Sequence, residues 1–173
     1  MLRKSTISLA LTLLMVAFIS DFLSLFLAFS CAIFNNKSLL VIVLIINVLV
    51  LCVLLYSKSY EEGLKDPNRV KYGRMDYFIY KGFVSGLLAD IPFILIYLIL
   101  IICWLFKLKF FDVMWIIMNI FNLQYFPSVS ILKQFPIALV VTLLPIPLVS
   151  GISYILGYKQ ITITRKFIYK KDK

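Results

Sequence analysis

Four long apolar segments that contain no lysine or arginine constrain the fold of this chain more than any other feature. They cover about residues 7–33, 39–56, 83–106 and 135–157. As helices they would be roughly 40, 27, 36 and 35 Å long, compared with about 30 Å for the hydrocarbon core of a bilayer. The pattern predicts an all-α integral membrane protein, with a four-helix transmembrane bundle in a single domain over residues 1–173.

Composition excludes most alternatives to a membrane protein. The chain is 62% hydrophobic and 15% charged, whereas ordinary soluble domains are about 45–50% apolar and about 25% charged. Histidine is absent, so the sequence has no histidine-based acid–base pair and no Ser-His-Asp triad. The three cysteines lie in or beside apolar segments without metal-binding spacing. We therefore expect no enzyme activity, no catalytic residue, no metal and no cofactor.

The segment from about 110 to 126 is apolar but carries three polar residues at helical spacing. Asp112, Asn119 and Asn122 fall on one narrow face of a helix. This pattern predicts an amphipathic helix that lies in the outer interface of the membrane. A fifth span and a re-entrant segment are the alternatives.

The positive charges favour four spans over five. With four spans, the N-terminus, the 58–81 loop and the 158–173 tail share one side, which carries 14 lysines and arginines against 4 on the other. With five spans the tally is 9 against 9. Because lysine and arginine concentrate on the cytoplasmic side, we expect a multi-pass protein with both termini in the cytoplasm. Trp115 and Tyr125 would then lie in an aromatic belt at the outer interface.

Asp21 is the most unusual residue of the first segment. It lies close to the middle of the bilayer, where a charged side chain costs at least about 2.5–3.5 kcal/mol. Small residues share its helical stripe, among them Ala17 and Ser24, and such a stripe favours packing against another helix. We expect Asp21 to be protonated or hydrogen-bonded inside the bundle, with Asn47 of the second segment as its partner.

The third segment repeats this combination of an acid and small residues. Gly86, Asp90 and Tyr97 share one helical face, and Gly82 forms a GxxxG pair with Gly86. Asp90 lies near the cytoplasmic edge, where water or the side chain of Lys81 could reach it. We interpret Asp21, Asn47, Asp90 and Tyr97 as candidates for an intramembrane polar site.

Prolines interrupt the third and fourth segments. Pro92 should bend the third helix, and Pro145 with Pro147 should kink the fourth helix near its midpoint. Such a kink can mark a binding site, although it is more often structural. Below the kink, the residues predicted to line one side are Ser150, Ser153, Tyr154 and Gly157.

The charged loop and tail are predicted to contact the membrane surface. Asp66-Pro67-Asn68 predicts a turn, and a short alternating segment begins the tail at Ile161. Basic residues next to spans bind anionic headgroups of the cytoplasmic leaflet, so nucleic acid is not expected as a partner. The residues assigned to headgroup contact are Lys58, Lys65, Arg69, Lys71, Arg74, Lys81, Arg165 and Lys166.

These features favour an accessory or assembly subunit of a larger membrane protein complex. The chain has no segment long enough for a soluble domain, and its small-residue faces suit packing against other integral membrane subunits or a second copy. The alternative is a small transporter or solute-binding component that uses the intramembrane acids. A membrane enzyme is the least favoured hypothesis, because no nucleophile is paired with a base.

Overall fold

The computed structural model describes residues 4–34, 37–74, 76, 78–107, 110–122, 125 and 142–161, and of 28–34 and 37–40 the backbone alone. Within these ranges the chain is helical and contains no strand, which confirms the all-α prediction. The five helices are α1 (Lys4–Phe34), α2 (Lys37–Lys71), α3 (Lys81–Leu105), α4 (Phe111–Phe121) and α5 (Pro145–Tyr158).

Three helices are long and apolar enough to cross a membrane. Their spanning parts are Lys4–Leu27, Val41–Lys71 and Lys81–Leu105, which contain 24, 31 and 25 residues. About 20 apolar helical residues suffice for the hydrocarbon core. The first three predicted segments are therefore confirmed as candidate spans, and the chain has the character of a membrane-embedded protein.

The fourth predicted segment begins outside the described residues, and its described part is not the kinked continuous helix expected. Thr142 and Leu143 form a 3₁₀ turn, and α5 begins at Pro145. Pro145 and Pro147 thus start a helix, because the first turn leaves its N–H groups unpaired and loses nothing to proline. The 14 residues of α5 extend only about 21 Å. The count of four spans stays a prediction.

Helix α2 continues about four turns beyond the predicted second span. It ends at Lys71 and contains Pro67, so the predicted turn around Pro67 is wrong. Proline inside a helix removes one backbone hydrogen bond and strains the preceding turn. Here the guanidinium of Arg69, after the proline, donates to the carboxylate of Glu62 before it. This contact joins the two sides of the proline and supports the helix there.

The actual turn lies at Gly73. Its φ of 67° is in the left-handed region, which glycine adopts without a steric penalty. The Gly73 N–H donates to the Val70 carbonyl at 3.0 Å, and the Arg74 N–H donates to the Arg69 carbonyl at 2.9 Å. These two bonds form a Schellman C-cap, which ends α2 and directs the chain towards α3.

Helix α5 packs closely against both α2 and α3. A Cβ atom on Gly157 would collide with the backbone of Tyr60 in α2. On the α3 side, a Cβ on Gly82 would lie 2.5 Å from the Ser150 carbonyl oxygen. The Ser150 hydroxyl also donates to the Gly82 carbonyl at 3.0 Å. The small residues therefore allow the helix backbones to come near one another.

Helices α1 and α4 complete the bundle. Helix α1 packs against α2 and α3, and the Ser85 hydroxyl of α3 donates to the Thr6 carbonyl of α1 at 3.0 Å. Helix α4 packs against α3 and buries Met114, Trp115 and Met118. With 11 residues it extends about 16 Å and is too short to cross a bilayer.

The start of α1, the end of α2, the start of α3 and the end of α5 lie at the same end of the bundle. The Thr6–Ser85 contact joins α1 to α3, an ion pair joins Asp66 of α2 to Lys81 of α3, and Gly157 of α5 lies against α2. We call this region the basic end; its described basic residues are Lys4, Lys58, Lys65, Arg69, Lys71, Arg74, Lys81 and Lys159.

Candidate functional site

An ion pair that is completely buried lies at the centre of the basic end. Asp66 of α2 is 0% exposed and Lys81 of α3 is 1% exposed. The Lys81 ammonium donates to Asp66 Oδ2 at 2.7 Å. The Tyr154 hydroxyl of α5 donates to the same oxygen at 2.6 Å. One carboxylate therefore joins three helices, and we call these three residues the Asp66 cluster.

An outer layer of charge separates the Asp66 cluster from the surface. Arg69 donates to Asp66 Oδ1 at 2.9 Å and also to the carboxylate of Glu62. The Glu62 carboxylate lies 3.5 Å from the Lys81 ammonium. Lys81 also lies over the Tyr154 ring, 5.8 Å from its centroid, which adds a cation–π contact. Both oxygens of Asp66 and the charge of Lys81 are thus fully compensated.

Burying this pair carries a desolvation penalty that its attraction offsets only with good geometry. If one partner is lost, the other keeps only its contact with the outer layer, Arg69 for Asp66 and Glu62 for Lys81, and remains a poorly compensated buried charge. The Asp66 cluster therefore fixes α2, α3 and α5 relative to one another. None of its three members has the exposed surface that a substrate or headgroup would need.

The assignment of Lys81 to headgroup contact is accordingly wrong. Lys81 precedes the third span by two residues, so its sequence position is typical of an interfacial lysine. The structure instead turns it inward, because α2 continues as a helix and brings Asp66 within reach. The spacing of Glu62, Asp66 and Arg69 at intervals of three and four residues could have indicated a helical face, but Pro67 favoured a turn.

The other residues predicted to contact headgroups have different surroundings. Arg69 is half-buried in the outer layer described above, whereas Lys58, Lys65, Lys71 and Arg74 are exposed at the basic end. Lys58 also makes an exposed ion pair with Glu61 at 3.8 Å. Arg165 and Lys166, like the strand-like segment after Ile161, lie outside the described residues.

Two adjoining cavities open at the basic end between α1 and α2. The larger has a volume of about 510 Å³ and the smaller about 300 Å³. Ser8, Glu62 and Arg69 line both. The larger is also lined by Lys4, Ser5, Arg74 and Asp76, and the smaller by Leu9, Thr12, Lys58, Glu61 and Lys65.

The four candidates for an intramembrane site are all buried. Asp21 is 4%, Asn47 2%, Asp90 1% and Tyr97 2% exposed. Counting helical rise from the Thr6–Ser85 and Asp66–Lys81 contacts places Asp21, Asn47 and Tyr97 within about 5 Å of one another in depth. Asp90 lies roughly 10–15 Å nearer the basic end.

Tyr125 is buried near these candidates, contrary to its predicted place in an aromatic belt. We call Asp21, Asn47, Asp90, Tyr97 and Tyr125 the intramembrane polar cluster. Tyr125 is 5% exposed, and Trp115 is 7% exposed. Tyr125 lies within electrostatic range of Asp90, Asp21 and Tyr97. Its sequence context, an isolated tyrosine after a short apolar helix, carries no signal of this position.

Several polar atoms of this cluster are buried without a hydrogen-bond partner in the described part of the chain. Among the residues that the structure describes, no hydrogen bond reaches Asn47 Nδ2, Asp90 Oδ1 or the Tyr125 hydroxyl. Tyr97, by contrast, shares a hydrogen bond with Thr142, just before α5. A buried polar atom without a partner costs about 1–3 kcal/mol. The predicted hydrogen bond between Asp21 and Asn47 does not run through Asn47 Nδ2.

The residues predicted for packing have distinct roles. Gly86 is closely covered by Pro147, whose Cα would lie 2.5 Å from a Cβ there. The Ser153 hydroxyl donates to the Val149 carbonyl of its own helix. Pro92 lies inside α3. In the predicted interfacial helix, Asp112 is exposed but Asn122 is buried, so the three polar residues do not share one solvent face.

No group of three or more histidine, cysteine, aspartate or glutamate side chains that could hold a metal occurs in the described part of the chain. No protein-family model, no curated protein and no solved structure matches this chain.

Proposed function

We propose that this chain is a small integral membrane protein that serves as an accessory or assembly subunit of a larger membrane protein complex. The observation that supports this most is the Asp66 cluster: Asp66, Lys81 and Tyr154 are buried and bind one another. Charges used in this way position helices and cannot reach a substrate. The outward faces of α1, α2 and α3 are rich in exposed apolar side chains, which suit lipid and the helices of a partner.

We place the basic end in the cytoplasm. The N-terminus, the 58–81 segment and the tail contain 14 of the chain's 18 lysines and arginines. Positive residues close to spans are retained on the cytoplasmic side of a membrane. The contacts at the basic end bring α1, α2, α3 and α5 together on the side that this rule assigns to the cytoplasm.

Affinity purification from the native membrane tests both proposals with one tagged chain. With a tag after Lys173 and a mild detergent, we expect a membrane protein to co-purify at a fixed ratio and to be crosslinked within the membrane. The control is the same tag fused to an unrelated pair of apolar helices, with a total length equal to that of this chain. Recovery of the chain alone, from cells whose other membrane proteins keep their abundance when it is deleted, would contradict the proposal.

For orientation, a protease added outside intact spheroplasts should leave the tag in place.

The intramembrane polar cluster favours a second candidate function, a small transport or solute-binding component. Its unpartnered atoms at Asn47, Asp90 and Tyr125 would be stabilised by a polar guest such as a proton, water or a small cation. Ionisable residues inside membranes commonly mark such pathways. Because the three described spans are few for a carrier, this function would require an oligomer.

Proton and cation flux in proteoliposomes tests the second candidate. Asp90→Asn removes the ionisable group but keeps its size, so a transport function predicts that the flux falls towards that of empty vesicles. Asp112→Asn is the matched control, since Asp112 is exposed on α4 and should leave the flux unchanged. Equal flux for the wild type, both variants and empty vesicles would exclude this function.

A further inference from the structure

The two adjoining cavities at the basic end form one charged groove that runs beside α1. They share Ser8, Glu62 and Arg69 as lining residues. At its outer end the groove is lined by Lys4 and Arg74. Further into the bundle, its lining includes Leu9 and Thr12 of α1 together with Lys58, Glu61 and Lys65 of α2. Beyond the groove, α1 exposes apolar side chains. A charged groove next to an exposed apolar helix surface has the polarity of a phospholipid.

The acids of the groove are already engaged. Glu62 binds Arg69 and lies 3.5 Å from Lys81. Glu61 pairs with Lys58 at 3.8 Å, and Asp76 also takes part in an interaction. The groove's acids therefore do little to cancel the charge of its other bases.

Three bases of the groove keep their charge available. Among the residues that the structure describes, Lys4, Lys65 and Arg74 make no ion pair. Lys4 and Arg74 line the same cavity together with the serine residues of the first α1 turns. Ammonium, guanidinium and hydroxyl groups are the usual donors to a phosphate. The local chemistry thus favours an anion with several acceptor oxygens.

The depth of the groove matches the headgroup region. Lys4 lies two residues before Thr6, whose carbonyl is level with Ser85, and Arg74 follows the end of α2. The spanning part of α2 contains 31 residues, about 46 Å, so roughly 16 Å of it extends past a hydrocarbon core of about 30 Å. The exposed apolar residues Leu11 and Met15 continue along α1 towards the membrane interior.

We propose that this groove binds the phosphate of an anionic phospholipid from the leaflet at the basic end. Lys4 and Arg74 provide the charge, Ser8 lines the same cavity, and the acyl chains follow the outer surface of α1 along Leu11 and Met15. This site is separate from the subunit role proposed above and does not depend on it. Anionic lipids are in general attracted to a basic surface, whereas here one lipid binds at one defined position.

Native mass spectrometry of the full chain released from mild detergent measures this binding. With phosphatidylglycerol we expect a saturable one-lipid adduct, and with phosphatidylcholine we expect much weaker binding. Each neutralised base should weaken phosphatidylglycerol binding about fivefold, so Lys4→Gln with Arg74→Gln should weaken it about 25-fold. Thermal unfolding without lipid should be nearly the same for the variant and the wild type, because both bases belong to the surface of the groove.

Lys71→Gln is the matched control. Lys71 is exposed at the end of α2, close to Arg74 in sequence, but it does not line either cavity. The variant should bind phosphatidylglycerol like the wild type. A weakening of about fivefold by Lys71→Gln, equal to that of Lys4→Gln or Arg74→Gln alone, would show that only the overall charge matters and would overturn the site. Displacement of the lipid by millimolar inorganic phosphate would overturn it too, since the groove would then be a site for a free anion.

Discussion

Replacing Asp66 by alanine will lower the free energy of unfolding by about 3–5 kcal/mol. The reason is that Lys81 is 1% exposed and would lose the carboxylate oxygen that lies 2.7 Å from its ammonium. The Tyr154 hydroxyl would lose its acceptor in the same step. The buried ammonium would then keep only the more distant carboxylate of Glu62, 3.5 Å away, and would be poorly compensated between α2, α3 and α5. Thermal unfolding in mild detergent, followed through the fluorescence of Trp104 and Trp115, measures the loss.

Glu61→Ala is the control for this prediction. Glu61 lies on the same helix and also forms an ion pair, but its partner Lys58 is 3.8 Å away and both side chains are about half exposed. Exposed pairs of this kind contribute about 0–1 kcal/mol, so the variant should unfold almost like the wild type. A similar loss for Asp66→Ala and Glu61→Ala would mean that burial of the Asp66 cluster contributes nothing.

Replacing Gly157 by alanine will also destabilise the bundle, by about 1–3 kcal/mol. The added Cβ would collide with the carbonyl oxygen of Tyr60 and lie 3.1 Å from its Cα. These are backbone atoms of α2, so no rotamer change can relieve the contact and the two helices must separate. That separation would also stretch the bond from Tyr154 to Asp66. Unfolding temperature in detergent and protease resistance of the α2–α5 contact report the change.

Gly151→Ala provides the comparison on the same helix. A Cβ there would lie 3.2 Å from the Phe83 Cβ, so only a small adjustment is required. Both substitutions gain the same intrinsic helix propensity, about 1 kcal/mol. The difference between the two variants therefore isolates the close approach at Gly157. If Gly151→Ala lost as much stability as Gly157→Ala, the close packing of α2 and α5 would be refuted.

The spanning helices were predictable because membrane burial acts on each segment separately. Apolar runs of sufficient length must form helices in a bilayer, and α1, α2 and α3 follow that rule. The burial of Asp21 and Asp90 was predictable for a related reason, since acids inside such runs face the interior of a bundle. The predicted turn at Pro67 was wrong because a local proline signal does not take account of side-chain contacts. In the structure, Glu62 and Arg69 bind each other across the proline and support the helix.

The Asp66 cluster could not be predicted, because it depends on the relative placement of three helices. Tyr154 is 88 residues from Asp66 in sequence, and no local spacing links them. Tyr125 presents the same difficulty, since its burial near Asp21 and Asp90 depends on residues that are far from it in sequence. Local pattern indicated which residues are unusual, and packing decided which of them meet.

A double-mutant cycle on Asp66 and Lys81 tests the central claim of the structure, that one buried ion pair holds α2 against α3. Asp66→Ala and Lys81→Met are measured alone and together by unfolding in the same detergent. We predict that the double variant is more stable than the sum of the single losses implies, by a coupling energy of about 1.5–3 kcal/mol. Losses that add within about 0.5 kcal/mol would show that the two side chains do not interact and would contradict the proposed architecture of the basic end.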